Sequence, residues 1–501
     1  MSRLILAHDL GTTGNKASLY DVEGRLLASS FESYPTDYPQ PGWAEQDPAD
    51  WWRAVCRSTQ GVLAGSGRSG KDVAVISFSG QMMSCLPVDA RGVPLRKAII
   101  WADQRAEAEA SWMAERLGLA EGYYITGHRL SASYTAAKLL WVRSKQPDLY
   151  ARTVKVLQAK DYAAWMLTGV FATDYSDASG TNLFDLRGRH WSAEILSVLG
   201  LAPELLPAAV PSATVIGGVT RAAAEATDLA PGTPVVIGGG DGACATVGAG
   251  VVHPGDAYGY IGSSAWISLV SREPLIDPQR RVGNFAHLEP EYVFPTGSMQ
   301  AAGGAYDWLE RVLRGNDSQH LYQQLETLVA ATEPGAKGLV FLPYLIGERS
   351  PHWNPHARAA FVGLSMAHGR AEMARAVLEG VAFNLRLILD VFQELGVGLT
   401  ALRLIGGGAR SAAWRQILAD VFSLPILRPK LLVEATSLGA AIAGGVGVGL
   451  YPGYSVASQL VQLELGEEPR PTVAARYDDL YPVFQQTYAT LVPIYELIAA
   501  L

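Results

Sequence analysis

The sequence predicts an α/β protein of two large domains, and three observations carry that prediction. At 501 residues the chain exceeds what one core ordinarily organises. Short apolar runs of strand type alternate with longer stretches of helical spacing. Glycine-rich turns recur beside the strands, at 11–14, 238–242, 262–264 and 406–408. Composition agrees: 52 glycines, 49% hydrophobic residues and only 18% charged ones suit a compact chain rather than a disordered one.

The formal charge of −8, from 48 acidic and 40 basic residues, offers no clustered cations for a nucleic-acid backbone. Cys56, Cys85 and Cys244 are scattered and lack metal-ligand spacing, so a reducing cytoplasm is the expected setting. The first apolar run is too short for a secretory leader, and no unbroken apolar segment reaches the length of a membrane span. No nucleic acid and no membrane are therefore expected as partners.

Taken in order, Leu4–Ala7 reads as a strand that runs into Asp9-Leu10-Gly11-Thr12-Thr13-Gly14-Asn15-Lys16, and Ala17–Tyr20 and Arg25–Ser29 continue it as a hairpin. The backbone N–H groups of Gly11, Thr12 and Thr13, the two hydroxyls and Lys16 would cradle phosphate oxygens, while Asp9 would hold a divalent cation through water. A surface hairpin whose Gly and Thr merely suit the turn is the alternative. Asp47-Pro48 opens a helix through Thr59, with Trp51, Trp52, Val55 and Cys56 on one side. Gly65–Lys71 has Walker A spacing but is followed by Asp72 and precedes, rather than follows, the strand Val73–Phe78, so it reads as a loop.

After that strand come Gln81, Met82 and Met83, and then Trp101-Ala102-Asp103-Gln104-Arg105, an aromatic, an acid and a guanidinium able to meet a polyhydroxylated ligand. The competing reading is a helix start with Asp103 capping and Arg105 solvated. Ser133–Trp141 and Ala159–Leu167 have helical spacing, and Asp174–Thr181 reads as a polar loop. His128 and His190 are isolated and read as surface or core residues, not ligands. Pro207, Pro211, Gly217 and Gly218 mark a composition change, which puts a domain boundary within 207–233.

The second half opens on Val235–Gly250, an apolar strand, three glycines and then Asp241. That carboxylate could be a general base, a metal ligand or a helix cap. Gly240–Ala245 fits G-x-G-x-x-A, but Asp256 falls short of the usual partner spacing of ~20 residues. Ala257–Gly262 and Ala265–Val270 repeat the N-terminal plan of strand, small hydroxyl turn and strand around Ser263-Ser264. Glu372–Leu395 is the longest helical pattern. Leu402–Ile405, Gly406–Ser411 and a helix through Trp414 form a strand, glycine turn and helix start suited to an anion or adenosine. Ala435–Gly449 reads as a closely packed helix of small residues and Tyr477–Leu501 as a final amphipathic helix. Glycine turns in both halves suggest a phosphate-bearing ligand gripped in a cleft, which fits phosphoryl transfer.

At this point the chain resembles the FGGY family of carbohydrate kinases, and within it the xylulokinases. The resemblance is carried by Asp9–Gly14 with Lys16, Glu45–Pro48 with Trp51-Trp52, Trp101-x-Asp103-x-Arg105, Tyr134–Trp141, Lys160-Asp161-Tyr162 and Ser176–Thr181. It continues through Gly239-Gly240-Asp241, Phe341–Leu345 with Gly347-Glu348-Arg349 and Pro351, and Gly406–Ser411 with Trp414. It implies two actin-like ATPase (ribonuclease-H-like) domains flanking a central cleft. Residues 1–232 would bind the sugar and part of the phosphate site; residues 233–501 would bind the nucleotide, with the last helix, 477–501, packing back on the first domain.

The resemblance further implies ATP and Mg²⁺ as cofactors and a sugar or polyol as substrate, D-xylulose first among them. Asp241 would be the catalytic base and, with Asp9, would serve the metal. Gly262, Ser263, Gly407, Gly408 and Ala409 would join Gly11, Thr12, Thr13 and Lys16 at the nucleotide. Gln81, Met82, Met83, Trp101, Asp103 and Gly242 would line the sugar site with Asp241. Two positions depart from the xylulokinase pattern: Met83 stands where a sugar-contacting His is usual, and Gly242 where Asn is usual, so another pentulose, a deoxy-ketose or a small polyol stays open. A different class stays open too, an actin-like nucleotide-dependent sensor or structural protein without kinase activity. A homodimer is compatible with either.

Overall fold

A computed structural model describes residues 3–313 and 321–500; Leu501, the expected end of the last helix, lies outside the described residues. The chain divides into two compact units, Met1–Pro254 with Val270–Phe294 and Glu434–Val461 in the first, and Gly255–Leu269, Pro295–Val433 and Gln462–Leu501 in the second.

The first unit is built on a sheet whose strands run in the order Val215–Gly218, Pro234–Val236, Val73–Gly80, Leu4–Leu10, Gly14–Tyr20 and Leu26–Ser33. The last three form the expected antiparallel hairpin and its extension, and Leu4–Leu10 pairs parallel with Val73–Gly80. Side chains alternate across a strand, so Leu4, Leu6, Ile76 and Phe78 share a buried cluster with Trp51 and Val55 of the helix Pro48–Ser66. Ile5, Val75 and Ser77 face the opposite side, where the helix Ala435–Gly447 lies against them at Gly444. Asp47 caps the first of these helices, accepting from the Ala49 N–H, with Pro48 in its first turn and Gly67 closing it at φ 65°.

The spatial division differs from a boundary at 232/233. Pro234–Val236 and Gly239–Gly240 both pair parallel with Val73–Gly80, so the Gly-Gly-Asp turn belongs to the first unit. Ladder hydrogen bonds outweigh the composition change that precedes them. Asp174–Thr181 also differs from a loop: Asp174 accepts from the Ser176 and Asp177 N–H groups and caps a short helix, Tyr175–Ser179.

The second unit repeats the plan. Ala257–Ile261 and Ala265–Leu269 form a hairpin, extended antiparallel by the Thr296–Met299 part of the next strand and joined in parallel by Leu402–Ile405 and then Ile426–Pro429. The long helix Arg370–Glu394 matches its sequence pattern within two residues at each end. The final helix starts earlier than expected, at Pro471, and lies in this unit, where Tyr477 donates to Glu379 and Tyr481 to Asp390.

In the first unit, the helices Asp241–Gly248 and Ala435–Gly447 cross at glycine. A Cβ on Gly439 would fall 1.9 Å from the Cys244 carbonyl oxygen, and one on Gly248 would fall 1.7 Å from that of Ala435. Gly439→Ala must push the two backbones apart; a loss of roughly 1–3 kcal/mol is expected, read as a lower denaturation midpoint.

Candidate active site

The register of the first sheet decides what meets at its end. Ser79 lies opposite Asp9 on one side and opposite Gly239 on the other. By strand parity Asp9 and Ser79 point to the same face, and the Ser79 hydroxyl donates to Asp9 Oδ1 at 3.0 Å. Beyond Gly239, Gly240 is the N-cap of the helix Asp241–Gly248, which makes Asp241 its first helical residue rather than its cap. The turn needs glycine at 238: φ is +69° there, and a Cβ would sit 1.9 Å from the Phe78 carbonyl oxygen.

Asp241 Oδ1 accepts from the Gly242 N–H at 2.8 Å. Protein surrounds the carboxyl, and the loss of hydration, followed by the nearby charge of Asp9, pushes its pKa up to about 7. Asp9 is raised as well, by burial, with the Ser79 hydrogen bond and the Lys16 charge pulling the other way. The two acids are therefore electrostatically coupled.

The Gly11–Gly14 turn is anchored by its carbonyls. Gly11 O accepts from the Tyr34 hydroxyl, Thr12 O from Gln46 Nε2 and Thr13 O from the Tyr34 N–H. Because C=O and N–H of one peptide point opposite ways, the Thr12 and Thr13 N–H groups face away from those anchors, in the manner of an anion-binding nest. Gln81 Nε2 reinforces this by donating to Gln46 Oε1 at 2.7 Å, and Trp101 Nε1 donates to the Thr12 hydroxyl at 3.0 Å.

Met82 Sδ would lie 2.6 Å from a Cβ on Gly240, which puts the 81–83 turn directly beside Asp241. Met83 is left-handed, with φ 65°. Its carbonyl accepts from Lys138 Nζ at 2.9 Å, and burial lowers that lysine's pKa to about 7. A Cβ on Gly242 would come within 3.3 Å of the Phe294 ring. Asp103 is placed differently from a free sugar contact: it is fully buried, and its oxygens accept from the Ala44 N–H and from the Arg105 N–H and guanidinium. Arg105, expected either at a ligand or in solvent, is buried between Glu45 and the Trp43 ring.

In the second unit, the Gly262–Ser264 turn packs on the start of the helix Gly303–Leu313: Gly303 N–H donates to Gly262 O, and Ala302 and Gly304 N–H to Ser263 O. Gly406, with φ 90°, and Gly408 press on Ile261 at the base of the same turn, while a Cβ on Gly407 would meet nothing within 4 Å. Gly262, Ser263, Gly407, Gly408 and Ala409 thus gather at one end of the second sheet. Sequence reasoning missed Gly303 and Gly304 here, and it missed Glu348, which is buried, accepts from the Gln300 and Arg349 N–H groups and from Asn384, and is pushed by burial to about 8. The quoted Gly347-Glu348-Arg349 motif was the available signal.

Among the described residues no group of three or more His, Cys, Asp or Glu is arranged to hold a metal ion. A pair of buried carboxylates, one raised by the other's charge, does fit Mg²⁺, which keeps several waters and takes one or two carboxylates together with phosphate oxygens. No described helix is long and apolar enough to cross a membrane.

Two family models cover the chain, the N-terminal domain of the FGGY family of carbohydrate kinases over residues 4–248 and its C-terminal domain over 257–448. The chain belongs to the FGGY family of carbohydrate kinases. It is an ATP-dependent carbohydrate kinase, and the non-kinase alternative falls away. It is 35% identical to a xylulose kinase of Escherichia coli strain K12 over 97% of this chain and 99% of that one. It is 30% identical to a gluconokinase of Bacillus subtilis strain 168 over 97% and 95%. Two solved structures from Lactobacillus acidophilus superpose on 99% of this kinase and all of their own chains: a gluconate kinase with a TM-score of 0.93 and a ligand-bound xylulose kinase with 0.92, each 28% identical. The fold is thus the two-domain actin-like one that the resemblance implied.

In metal-free kinase the Asp241 carboxyl is expected to titrate near 7 by ¹³C NMR. Asp9→Asn removes a neighbouring negative charge and must lower that value; an unchanged or higher value would refute the coupling. A bound divalent cation lowers it further, for the same reason of sign.

Proposed function

We propose that this kinase transfers the γ-phosphoryl group of ATP to a hydroxyl of a ketose, with D-xylulose the first candidate and Asp241 as general base. The observation that carries the reading is the environment of Asp241: a carboxyl at a helix start whose burial and acidic neighbour bring its pKa to about 7. A base is most effective when its pKa lies near the working pH. Asp241 would take the proton of the acceptor hydroxyl as that oxygen bonds to the γ-phosphorus, and ADP would leave with the electrons of the broken P–O bond.

The backbone and hydroxyls of Thr12 and Thr13, with Lys16, would hold phosphate oxygens. Gly262 and Ser263 would do the same from the second unit, and Gly407, Gly408 and Ala409 would face the nucleotide. Asp9 and Asp241 would hold Mg²⁺, which when bound offsets charge on the phosphate oxygens. Asp103, engaged by Ala44 and Arg105, would serve the acceptor by fixing the 101–105 turn rather than by offering free lone pairs.

A second acceptor class is favoured by two particular features. Met83 brings a thioether without an N–H donor, and the Phe294 ring fills the space beyond Gly242. The similarity to a gluconokinase at 30% identity keeps such an acceptor open beside the more similar xylulose kinases.

Coupled ADP release across ketoses, polyols and aldonic acids separates these readings, and silence on D-xylulose with turnover on another acceptor would overturn the first. Asp241→Ala should cut acceptor-dependent turnover by about 10²–10⁴-fold while nucleotide affinity measured without Mg²⁺ stays within about twofold; full turnover in that variant would remove the base assignment. His tolerates the left-handed backbone at 83 better than Met, so Met83→His should fold. It should raise kcat/KM for D-xylulose by roughly tenfold or more if the missing donor limits recognition.

A further inference from the structure

We propose that Ser176 is a positioning residue for Asp241, held in that role by a buried cluster of Lys160 with Asp161, Asp174 and Asp177. The proposal rests on Asp241 being the base. It gives a physical role to two motifs, Lys160-Asp161-Tyr162 and Ser176–Thr181, that the phosphoryl-transfer chemistry leaves unused.

The chain of contacts is short. Lys160 Nζ lies 2.7 Å from Asp161, 3.0 Å from Asp174 and 3.1 Å from Asp177, and all four side chains are at most 1% exposed. Burial alone would strip the lysine's proton, but three carboxylates outweigh it and hold its pKa well above the usual value. Asp174 Oδ2 then accepts from the Ser176 hydroxyl at 2.5 Å and from the Ser212 hydroxyl at 2.7 Å.

A serine hydroxyl has one hydrogen, and an ionised carboxylate can only accept. Once Asp174 takes that hydrogen, the remaining Ser176 lone pairs are committed to accepting. They meet the Gly240 N–H at 2.9 Å. Gly240 is the N-cap whose next residue is Asp241, so this bond fixes the Gly239–Gly240 peptide plane, from which the helix start that carries the carboxylate departs.

Outside this cluster the Cys244 thiol also bonds the turn, donating to the Gly239 carbonyl at 3.6 Å. Leu288 and Met82 bracket Gly239 and Gly240 by contact alone, and contact restrains position more than it restrains rotation of an amide. The cluster also abuts the other acid's support: a Cβ on Gly80, next to Ser79, would lie 2.8 Å from Lys160 Cβ.

The test compares two variants that each remove one hydrogen bond to the same Asp174 oxygen. Ser176→Ala frees the Gly240 N–H, and Ser212→Ala does not. In Ser176→Ala, kcat should fall about 10- to 100-fold with both KM values within about twofold. Exchange of the Gly240 amide should accelerate by roughly tenfold. In Ser212→Ala, both readouts should stay within about threefold of the parent. Equal effects in the two variants, or an unchanged kcat in Ser176→Ala, would overturn the proposal. Should the parent phosphorylate no acceptor, the reading of the function fails by itself. The exchange measurement then still decides the positioning claim, since an unchanged Gly240 amide in Ser176→Ala refutes it.

Discussion

The constraint on which the first unit depends is the double pairing of one strand end. Ser79 has Asp9 on one side and Gly239 on the other. Strands in a sheet lie ~4.8 Å apart, so this register delivers an acid on each flank of Ser79 within reach of one ligand. Moving Leu4–Leu10 by one residue would send Asp9 to the opposite face, and moving Gly239–Gly240 would displace the helix start that carries Asp241. The arrangement sets two carboxyls in poor contact with water, which raises the pKa of both, and that of Asp241 further through the charge of Asp9. It persists because the backbone ladder and the helices on both faces fix it independently of those charges, and a cation would suit the negative potential it creates.

The second unit uses the same frame for a different end. Its hairpin turn is Gly262-Ser263-Ser264, and its parallel strand runs into Gly406-Gly407-Gly408. No acid stands in either stretch, which would suit the anionic part of a nucleotide. In the first unit the corresponding places carry Asp9 before the hairpin turn and Gln81 after the parallel strand. One duplicated scaffold thus carries acids at the sheet end of the first unit and none in the corresponding turns of the second.

Much of this was legible in the sequence, and the reasons for the exceptions are physical. The hairpins, the Asp47-Pro48 helix start and the Arg370–Glu394 helix follow from local periodicity and capping, which need no tertiary partner. The Gly/Ala content of 435–447 announced close packing but could not say against what; the partner is the Asp241 helix, nearly 200 residues earlier in the chain. The 174–181 segment reads as a loop because its polar residues mimic one. Its aspartates and serines are buried, and burial of charge is decided by compensation from Lys160, which the local pattern does not contain. Asp103 shows the same limit: the acid in Trp-x-Asp-x-Arg was visible, while the fact that its own arginine neutralises it was not.

Chemistry and acceptor choice are anchored to different parts of the molecule. Asp9 and Asp241 are set by sheet register and by the Ser176 hydrogen bond, whereas Met83 is set by a left-handed turn whose carbonyl is held by Lys138. A side-chain change at 83 leaves that carbonyl bond in place, because Lys138 reads the backbone and not the side chain. Selectivity can therefore shift without moving the acids. The energetics make such a shift large: a site built to hydrogen-bond a hydroxyl rejects its absence strongly, whereas an apolar wall discriminates by only ~1–3 kcal/mol per group. On the proposed reading, Met83 and Gly242 in place of donors would make the acceptor site more permissive, a side-chain difference that nearly equal backbone superposition on a gluconate kinase and a xylulose kinase does not register.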